Sequence, residues 1–277
     1  MEEEVFKKLV YLDYNLFSIL KNPRNPEHIL LLDFIKANVD KIQLVYSDAH
    51  LEDLSKGNVP ELIEEDLKNI SRLTNNLSIC KYWGESKLQL QYTDINESFR
   101  LHKLEQNSGC IGFIKWLNFL GLNNSWPWAR NTQVPKAHQI DIRLISNYSI
   151  SQIDQLVAKI GIYDSLDEWI VSQLQLKGKA YQNDTIFDYY ITAYNTLDFI
   201  SFYPDKLSER NKFENLFNDA RHSAYGSQSD VFITNDNNCY LKSKFLFSYI
   251  GSKSKLIKTV RVRDLNILSK ELNSILD

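Results

Sequence analysis

The sequence predicts an α/β fold in which a parallel sheet is flanked by helices and carries a mainly helical insertion. Short apolar runs near both ends of the 277-residue chain alternate with helical patterns, as they do in parallel sheets. Hydrophobic residues make up 43% of the chain and charged residues 24%, which suits a globular protein with a sizeable core. The middle lacks this alternation. The sheet is therefore expected to come from residues 1–75 and 185–277, with 76–184 as a helical insertion.

The N-terminal part alternates between predicted strands and helices. The apolar run Lys8–Leu12 is typical of a buried strand. Ser47 is an expected helix N-cap, and Pro60 has the position that proline favours at the start of a helix. The elements predicted here are strands at 8–12 and 42–46 and helices at 14–20, 27–38, 48–54 and 60–73.

The C-terminal part resumes the alternation after a helical middle. The β-branched run at 230–234 predicts a strand that ends at Asn235 and Asp236. Ser151 and Ser165 are expected to cap two of the middle helices. The remaining predicted elements are helices at 150–177, 184–202, 211–224 and 265–276 and a last strand at 255–263.

Charge and cysteine content limit the classes of function. The chain has a formal net charge of −3 and a pI of about 6.0, so nucleic acid would have to be bound by a local basic surface. Three widely separated cysteines favour a reducing compartment over a disulfide framework or a cysteine-rich zinc site. The start Met-Glu-Glu-Glu is unlike a signal peptide, and the most apolar window, 111–122, is shorter than the ~20 residues of a membrane span. We expect a cytoplasmic protein that does not enter the membrane.

Four aspartates stand where the active site of a parallel sheet would form. They are Asp13 and Asp236 directly after strands, Asp53 on the helix after the second strand, and Asp219 on the helix before the late strand. Ligands of open parallel sheets bind beyond the carboxyl ends of the strands, so these side chains are expected to converge. Crowded carboxylates repel each other unless cations neutralise them, and oxygen ligands suit Mg²⁺ or Mn²⁺.

Such a site can hydrolyse a phosphodiester with two divalent cations about 3.5–4 Å apart. One cation lowers the pKa of a water that attacks phosphorus in line, and the other stabilises the departing 3′ oxygen. Asn15 is a candidate for orienting a water or a metal ligand. The sequence therefore predicts a two-metal hydrolase whose metal ligands are the four aspartates.

Four short motifs resemble those of PIN (PilT N-terminus) domains, in the same order. Residues 11–15 resemble the opening strand-Asp-x-Asn motif, and 47–54 resemble the second motif, in which an acid precedes Leu on a helix. Residues 219–225 resemble the third motif, an Asp that opens a helix, and 230–236 resemble the fourth, an apolar strand followed by Thr-x-Asp. The resemblance covers both ends of the chain but not the middle. It implies a PIN-like fold and a metal-dependent endoribonuclease.

The resemblance and the spacing of two histidines point to further site residues. Asp53 stands where the family more often has Glu, so Glu52 is the alternative ligand. His50 precedes Asp53 by three residues and His222 follows Asp219 by three, which puts each pair on one face of a helix. We expect the two imidazoles to contact the scissile phosphate, act as general acid or join the metals. The alternative is that both are hydrogen-bonded at a helix surface.

A cationic stretch follows Asp236. Residues 237–263 contain seven basic residues and no acid. This stretch is expected to follow an RNA backbone beside the acidic edge of the sheet. The predicted RNA-binding residues are Lys242, Lys244, Lys253 and Lys255.

Two other functions stay open. A PIN-like fold without catalysis would be an RNA- or protein-binding scaffold, although unused clustered carboxylates destabilise a fold. A haloacid-dehalogenase-type phosphatase also begins with a strand that ends in Asp, but it needs a second Asp where this chain has Asn15. The nuclease interpretation implies a prokaryotic toxin or anti-phage effector. Its expected partners are RNA, with tRNA as one candidate, and an inhibitory or activating protein, and a homo-oligomer is left open.

Overall fold

The computed structural model is an α/β fold built on a four-stranded parallel sheet. It describes residues 7–82, 87–107, 141–161, 163–176, 186–204, 213–259 and 264–276. The strands are β1 (Lys8–Leu12), β2 (Ile42–Val45), β3 (Leu77–Cys80), β4 (Gln89–Tyr92), β5 (Val231–Thr234) and β6 (Lys255–Lys258). The main sheet has the order β2-β1-β5-β6, and every neighbouring pair in it is parallel. The predicted parallel sheet with flanking helices is therefore confirmed.

Helices connect and cover the strands. In the described ranges they are α1 (Tyr14–Leu20), α2 (Pro26–Ala37), α3 (Asp48–Ser55), α4 (Pro60–Thr74), α5 (Ile95–Asn107), α6 (Ile142–Ile145), α7 (Ile150–Ile160), α8 (Leu166–Leu176), α9 (Ile186–Phe199), α10 (Phe213–Ser227), α11 (Asn237–Ile250) and α12 (Leu265–Asn273). Ser47 caps α3 as predicted, whereas Ser149 rather than Ser151 caps α7. None of these helices has both the length and the apolar character of a membrane span.

The two central strands, β1 and β5, are buried on both faces because each face carries its own hydrophobic core. Successive side chains of a strand point to opposite faces. Val10 and Leu12 accordingly pack in a core with helices α1, α2 and α12. Tyr11 and Phe232 pack in the other core. Burial on both sides explains why these strands appear in the sequence as nearly continuous apolar runs.

The middle helices belong to the second of these cores. Ile153 of α7, Ile170 of α8 and Tyr194 of α9 are buried in the same cluster as Tyr11 and Phe232. The helical part of 76–184 therefore shares a hydrophobic core with the sheet. The division of the chain into a nuclease domain and an insertion stays a prediction.

The strands β3 and β4 were not predicted, and the expected helical insertion begins with them. They pair antiparallel with each other. Tyr46, directly after β2, joins β3 to the main sheet: its N–H donates to Leu77 O (3.1 Å) and its carbonyl accepts from Ile79 N (2.7 Å). Asn75 and Asn76 turn the chain into β3 with left-handed backbone, φ 55° and 59°, a conformation that asparagine adopts more readily than most residues.

Helix α10 lies directly against β5 because Gly226 has no side chain. A Cβ at Gly226 would lie 2.4 Å from Cγ of Phe232, far inside van der Waals contact. The glycine therefore permits a close approach of helix and strand. This contact fixes where α10, which carries Asp219 and His222, meets the edge of the sheet.

Candidate active site

Asp13 and Asp236 lie at the carboxyl ends of the adjacent strands β1 and β5, as predicted. The hydroxyl of Thr234 links them: it donates to Asp13 Oδ2 (2.8 Å) and accepts from the Asp236 N–H (3.0 Å). The N–H of Asp13 in turn donates to the carbonyl of Ile233 (2.9 Å). Asp236 is also the N-cap of α11, where its Oδ1 accepts from the Cys239 N–H (2.7 Å). Both carboxylates are thus held at one edge of the sheet.

Asp53 reaches the same edge from α3 and binds two basic side chains. His222 Nε2 donates to Asp53 Oδ2 (3.0 Å), and Lys56 Nζ donates to Asp53 Oδ1 (2.7 Å). Burial opposes ionisation of Asp53, but the hydrogen bond and charge of His222, together with Lys56, lower its pKa below the ordinary value. Asp53 is therefore a carboxylate at neutral pH.

A buried hydrogen-bond chain holds His222 in place. Its Nδ1 lies 2.8 Å from the Tyr11 hydroxyl, which lies 2.7 Å from Ser47 Oγ. Asn218, one turn before His222, donates from Nδ2 to the Ala49 carbonyl (2.9 Å) and so ties α10 to α3. His222 is 1% exposed, so it orients Asp53 and has no access to a phosphate.

The acidic side chains lie within range of one another's charge. Burial raises the pKa of Asp13, which is 5% exposed. His222 and the Thr234 hydrogen bond oppose this shift, and the charges of Asp53 and Asp236 add to it. The charges of Asp53 and Asp236 therefore act on Asp13, and the convergence of the three carboxylates in one site stays a prediction.

Asp219 lies beside this group on α10 and is half-buried. Burial raises the pKa of the Cys239 thiol, and the charges of Asp13, Asp219 and Asp236 raise it further. The charges of three of the four aspartates therefore act on the same thiol. We call Asp13, Asp53, Asp219 and Asp236 the acidic cluster.

The catalytic role expected of His50 is wrong, because both of its ring nitrogens bind the backbone. The Ser47 N–H donates to Nδ1 (2.9 Å), so Nε2 carries the proton and donates to the Leu12 carbonyl (2.8 Å). Complete burial and the charge of His222 lower the pKa of His50 to about 3. The neutral ring supports the N-terminus of α3 and the end of β1.

Two other residues that the sequence predicted for the site, Glu52 and Asn15, are placed differently from the four aspartates. Glu52, the alternative metal ligand, faces α5 and binds His102 Nε2 through Oε2 (3.0 Å), so Asp53 rather than Glu52 faces Asp13. Asn15 is exposed in the first turn of α1.

The predicted RNA-binding lysines divide into three groups. Lys242 is fully buried, 3.3 Å from Asp198 and stacked over the Tyr194 ring, so its assignment to RNA is wrong. Lys253 and Lys255 lie at the amino end of β6, the edge opposite the acidic cluster, because Lys255 pairs in register with Val231. They cannot follow RNA beside the cluster. Lys244 is exposed on α11 and stays a candidate.

The sequence interpretation missed three residues that organise the site. Thr234 lies inside the quoted fourth motif, and its position two residues before Asp236 was the available signal. Tyr11 lies in the apolar strand β1 and is completely buried, but its hydroxyl makes the hydrogen bond to His222. Lys56 follows Asp53 by three residues on the same helical face, which is a common spacing for an ion pair.

The acidic cluster offers carboxylate oxygens as metal ligands, but its side chains do not form a complete metal-binding group. In the described part of the chain, no three His, Cys, Asp or Glu side chains are grouped closely enough to hold a metal ion. Asp13 and Asp236 each commit one carboxylate oxygen to a hydrogen bond with their own surroundings, which suits a cation at the other oxygen. Asp53 uses both oxygens in hydrogen bonds, and the positive charge of Lys56 beside it opposes the binding of a cation there. The residues fit a divalent cation by their chemistry, because carboxylate oxygens are ligands that Mg²⁺ and Mn²⁺ prefer.

Comparison with known proteins adds no assignment. No family model, no curated protein and no solved structure matches the chain.

Proposed function

We propose that the chain is a PIN-like endoribonuclease that depends on Mg²⁺ or Mn²⁺, with the acidic cluster as its metal ligands. One observation carries the proposal. Asp13 and Thr234 are 221 residues apart in the sequence, yet they join at the carboxyl edge of adjacent parallel strands, with Asp236 on the same hydroxyl. Ligands of open parallel sheets bind at this edge.

The chain's own part in the chemistry is to hold carboxylates in place. Bound divalent cations would activate a water for attack on phosphorus and stabilise the departing 3′ oxygen. Thr234 orients Asp13, the first turn of α11 orients Asp236, and the Tyr11–His222 pair orients Asp53. Removing partners that orient metal ligands typically costs about 10–100-fold in metal affinity or activity.

The proposed reaction adds water across the phosphodiester. A bond forms between the water oxygen and phosphorus, the bond from phosphorus to the 3′ oxygen breaks, and a proton passes to that oxygen. The products are a 5′-phosphate and a 3′-hydroxyl. These ends differ from the 2′,3′-cyclic phosphate that forms when the RNA's own 2′-hydroxyl attacks.

Asp236→Asn tests the proposal with little change in structure, because Asn is as good an N-cap as Asp. A labelled single-stranded RNA is incubated with each protein in Mn²⁺ or in EDTA, and the product ends are identified. We expect wild-type cleavage in Mn²⁺ with 5′-phosphate ends, and a loss of more than about 100-fold in Asp236→Asn. Asp33→Asn, which changes an exposed aspartate on α2, is the matched control and keeps full activity. Cleavage that survives EDTA, or ends with a cyclic phosphate, would contradict the proposal.

The engagement of Asp53 favours a second candidate function. Because Lys56 and His222 use both Asp53 oxygens, the folded chain is electrostatically satisfied at this position without metal. A PIN-like scaffold that binds RNA or protein without cutting would look the same. RNA that is bound but left intact in Mn²⁺, with equal affinity for wild type and Asp236→Asn, would support the scaffold instead.

Lys56→Met should strengthen metal binding if the nuclease proposal holds. An ion pair this exposed contributes up to about 1 kcal/mol. Because Lys56 competes with Mn²⁺ for Asp53, removing it corresponds to about fivefold tighter Mn²⁺ binding. Mn²⁺ binding is measured by electron paramagnetic resonance of the free ion. Lys68→Met, which breaks the exposed Lys68–Glu64 pair on α4, is the control and leaves the affinity unchanged. Unchanged or weaker binding in Lys56→Met would show that Asp53 is not a ligand.

The role we propose for this activity is that of a prokaryotic toxin or anti-phage effector. Such a protein stops the growth of the cell that expresses it, and Asp236→Asn should remove that effect at equal protein level. Growth arrest that persists in the variant would separate toxicity from the acidic cluster.

A further inference from the structure

Strand β6 brings the cation of Lys258 to the acidic edge of the sheet. Lys258 is the last residue of β6 and pairs in register with Thr234, the residue whose hydroxyl joins Asp13 and Asp236. Its Nζ donates to Oδ1 of Asn237 (2.6 Å), the residue directly after Asp236. Lys255, three residues earlier, lies about 10 Å back along the strand, at the opposite edge.

An aromatic ring lies next to this cation. Lys258 Nζ is 5.5 Å from the centroid of Tyr240, in the first turn of α11, and both side chains are partly exposed. Burial and the Glu271 carboxylate raise the pKa of Tyr240, so its phenol is neutral at physiological pH. Lys244 follows Tyr240 by four residues, which puts its exposed side chain on the same face of α11. Lys258, Tyr240 and Lys244 therefore form a row that leads away from the acidic cluster.

We propose that Lys258, Tyr240 and Lys244, here called the Lys258 strip, bind single-stranded RNA beside the cleavage site. Lys258 contacts a backbone phosphate next to the scissile bond, Tyr240 stacks on the adjoining base and Lys244 contacts a further phosphate. The chemistry fits a single strand, whose unstacked bases can lie on an aromatic ring while cations follow its backbone. The inference rests on the proposed function for the position of the scissile bond. The binding surface itself is argued from the register of β6 and from α11.

RNA binding without cleavage tests the strip. The whole 277-residue chain carries Asp13→Asn in every sample, so that RNA stays intact, and binding of a labelled oligouridine is followed by fluorescence anisotropy. Adding Lys258→Gln should weaken binding roughly five- to tenfold at about 50 mM salt and reduce the slope of log affinity against log salt by about 0.7. Tyr240→Leu should weaken binding by about fivefold or more, whereas Tyr240→Phe keeps the ring and the affinity.

Lys253→Gln is the matched control because Lys253 is an exposed lysine at the far edge of the sheet. It should lower affinity far less than Lys258→Gln. Equal affinities for the Lys258→Gln and Lys253→Gln proteins, or no RNA binding by the parent protein, would overturn the strip. Metal-dependent cleavage by the protein with Asp13 intact is scored separately: its absence refutes the nuclease proposal, and its presence with unaltered Lys258→Gln binding refutes the strip alone.

Discussion

Asp13→Asn is expected to abolish metal-dependent RNA cleavage and, in the absence of metal, to make the fold more stable. Asn preserves the shape of the side chain and can still accept the Thr234 hydrogen bond. It removes a negative charge that is buried and close to two other carboxylates. The loss of activity should exceed about 100-fold, because even partners that merely orient metal ligands cost about 10–100-fold.

The gain in stability has a defined dependence on pH. Because the pKa of Asp13 is raised in the folded state, the unfolded chain ionises this carboxyl first. Ionisation therefore favours unfolding, and the free energy of unfolding of the wild type falls as pH rises from the ordinary pKa to the raised one. The variant lacks this loss. Urea unfolding in EDTA should give similar values at acid pH and a higher value for the variant near neutral pH.

Mn²⁺ should reverse the order of stability of the wild type and Asp13→Asn. Under the proposed function, Mn²⁺ would bind at the acidic cluster and stabilise the folded wild type by mass action, whereas the variant would lack one ligand. We expect Mn²⁺ to raise the melting temperature of the wild type and to leave that of Asp13→Asn nearly unchanged. A variant that is less stable than the wild type in EDTA at neutral pH would contradict the electrostatic account of the cluster.

Lys242→Met is expected to lower the free energy of unfolding by about 3–5 kcal/mol, the usual cost of removing one partner of a buried ion pair. Lys242 and Asp198 are both 0% exposed and join α11 to α9. Methionine keeps the length of the side chain, so the loss reports the missing ammonium opposite the Asp198 carboxylate. Urea unfolding followed by circular dichroism measures it.

Two further variants make this result specific. Lys244→Met, two residues away and exposed, should change stability by less than about 0.5 kcal/mol while weakening RNA binding. The double variant Lys242→Met/Asp198→Leu should recover most of the loss, because a buried pair can often be exchanged for apolar residues at little cost. A loss below about 1 kcal/mol in Lys242→Met would mean that the buried pair contributes little.

The edge of the sheet that carries Asp13 and Asp236 could be predicted because the sequence patterns that indicate it are local. The strands β1 and β5 are apolar runs, each followed by an aspartate, and parallel strands bring their carboxyl ends together. The same logic would have placed Lys253 and Lys255 correctly: Lys253 precedes β6 and Lys255 is its first residue, so both lie at the amino edge. The predicted position of these two lysines was wrong because residues close to Asp236 in the sequence need not lie close to it in space.

The burial of Lys242 also had a signal in the sequence. Cys239, Lys242, Ser243 and Leu246 follow the spacing of one helical face, and all four are buried. Its partner Asp198 lies on a distant helix, so the ion pair itself could not be inferred. The same holds for the Tyr11–His222 contact, which joins a strand and a helix from opposite ends of the chain.

The strands β3 and β4 left little trace in the sequence for a different reason. Residues 89–92 of β4 are exposed or half-buried, so their apolar and polar side chains are not sorted by a core. Hydrophobic periodicity reports burial, and a strand with little burial gives no period to detect. The short strand β3 is defined in the structure by its hydrogen bonds to Tyr46 and to β4.

The position of β5 between β1 and β6 has a consequence for biosynthesis. A ribosome releases β1 early, but the neighbour that completes its second edge is made more than two hundred residues later. Until then the nascent polypeptide exposes one side of an apolar strand, which is a template for aggregation. Contacts this distant in sequence also slow folding. Asp13 and Asp236 therefore meet only after β5 has been translated, so a nascent chain that lacks β5 lacks this edge of the sheet.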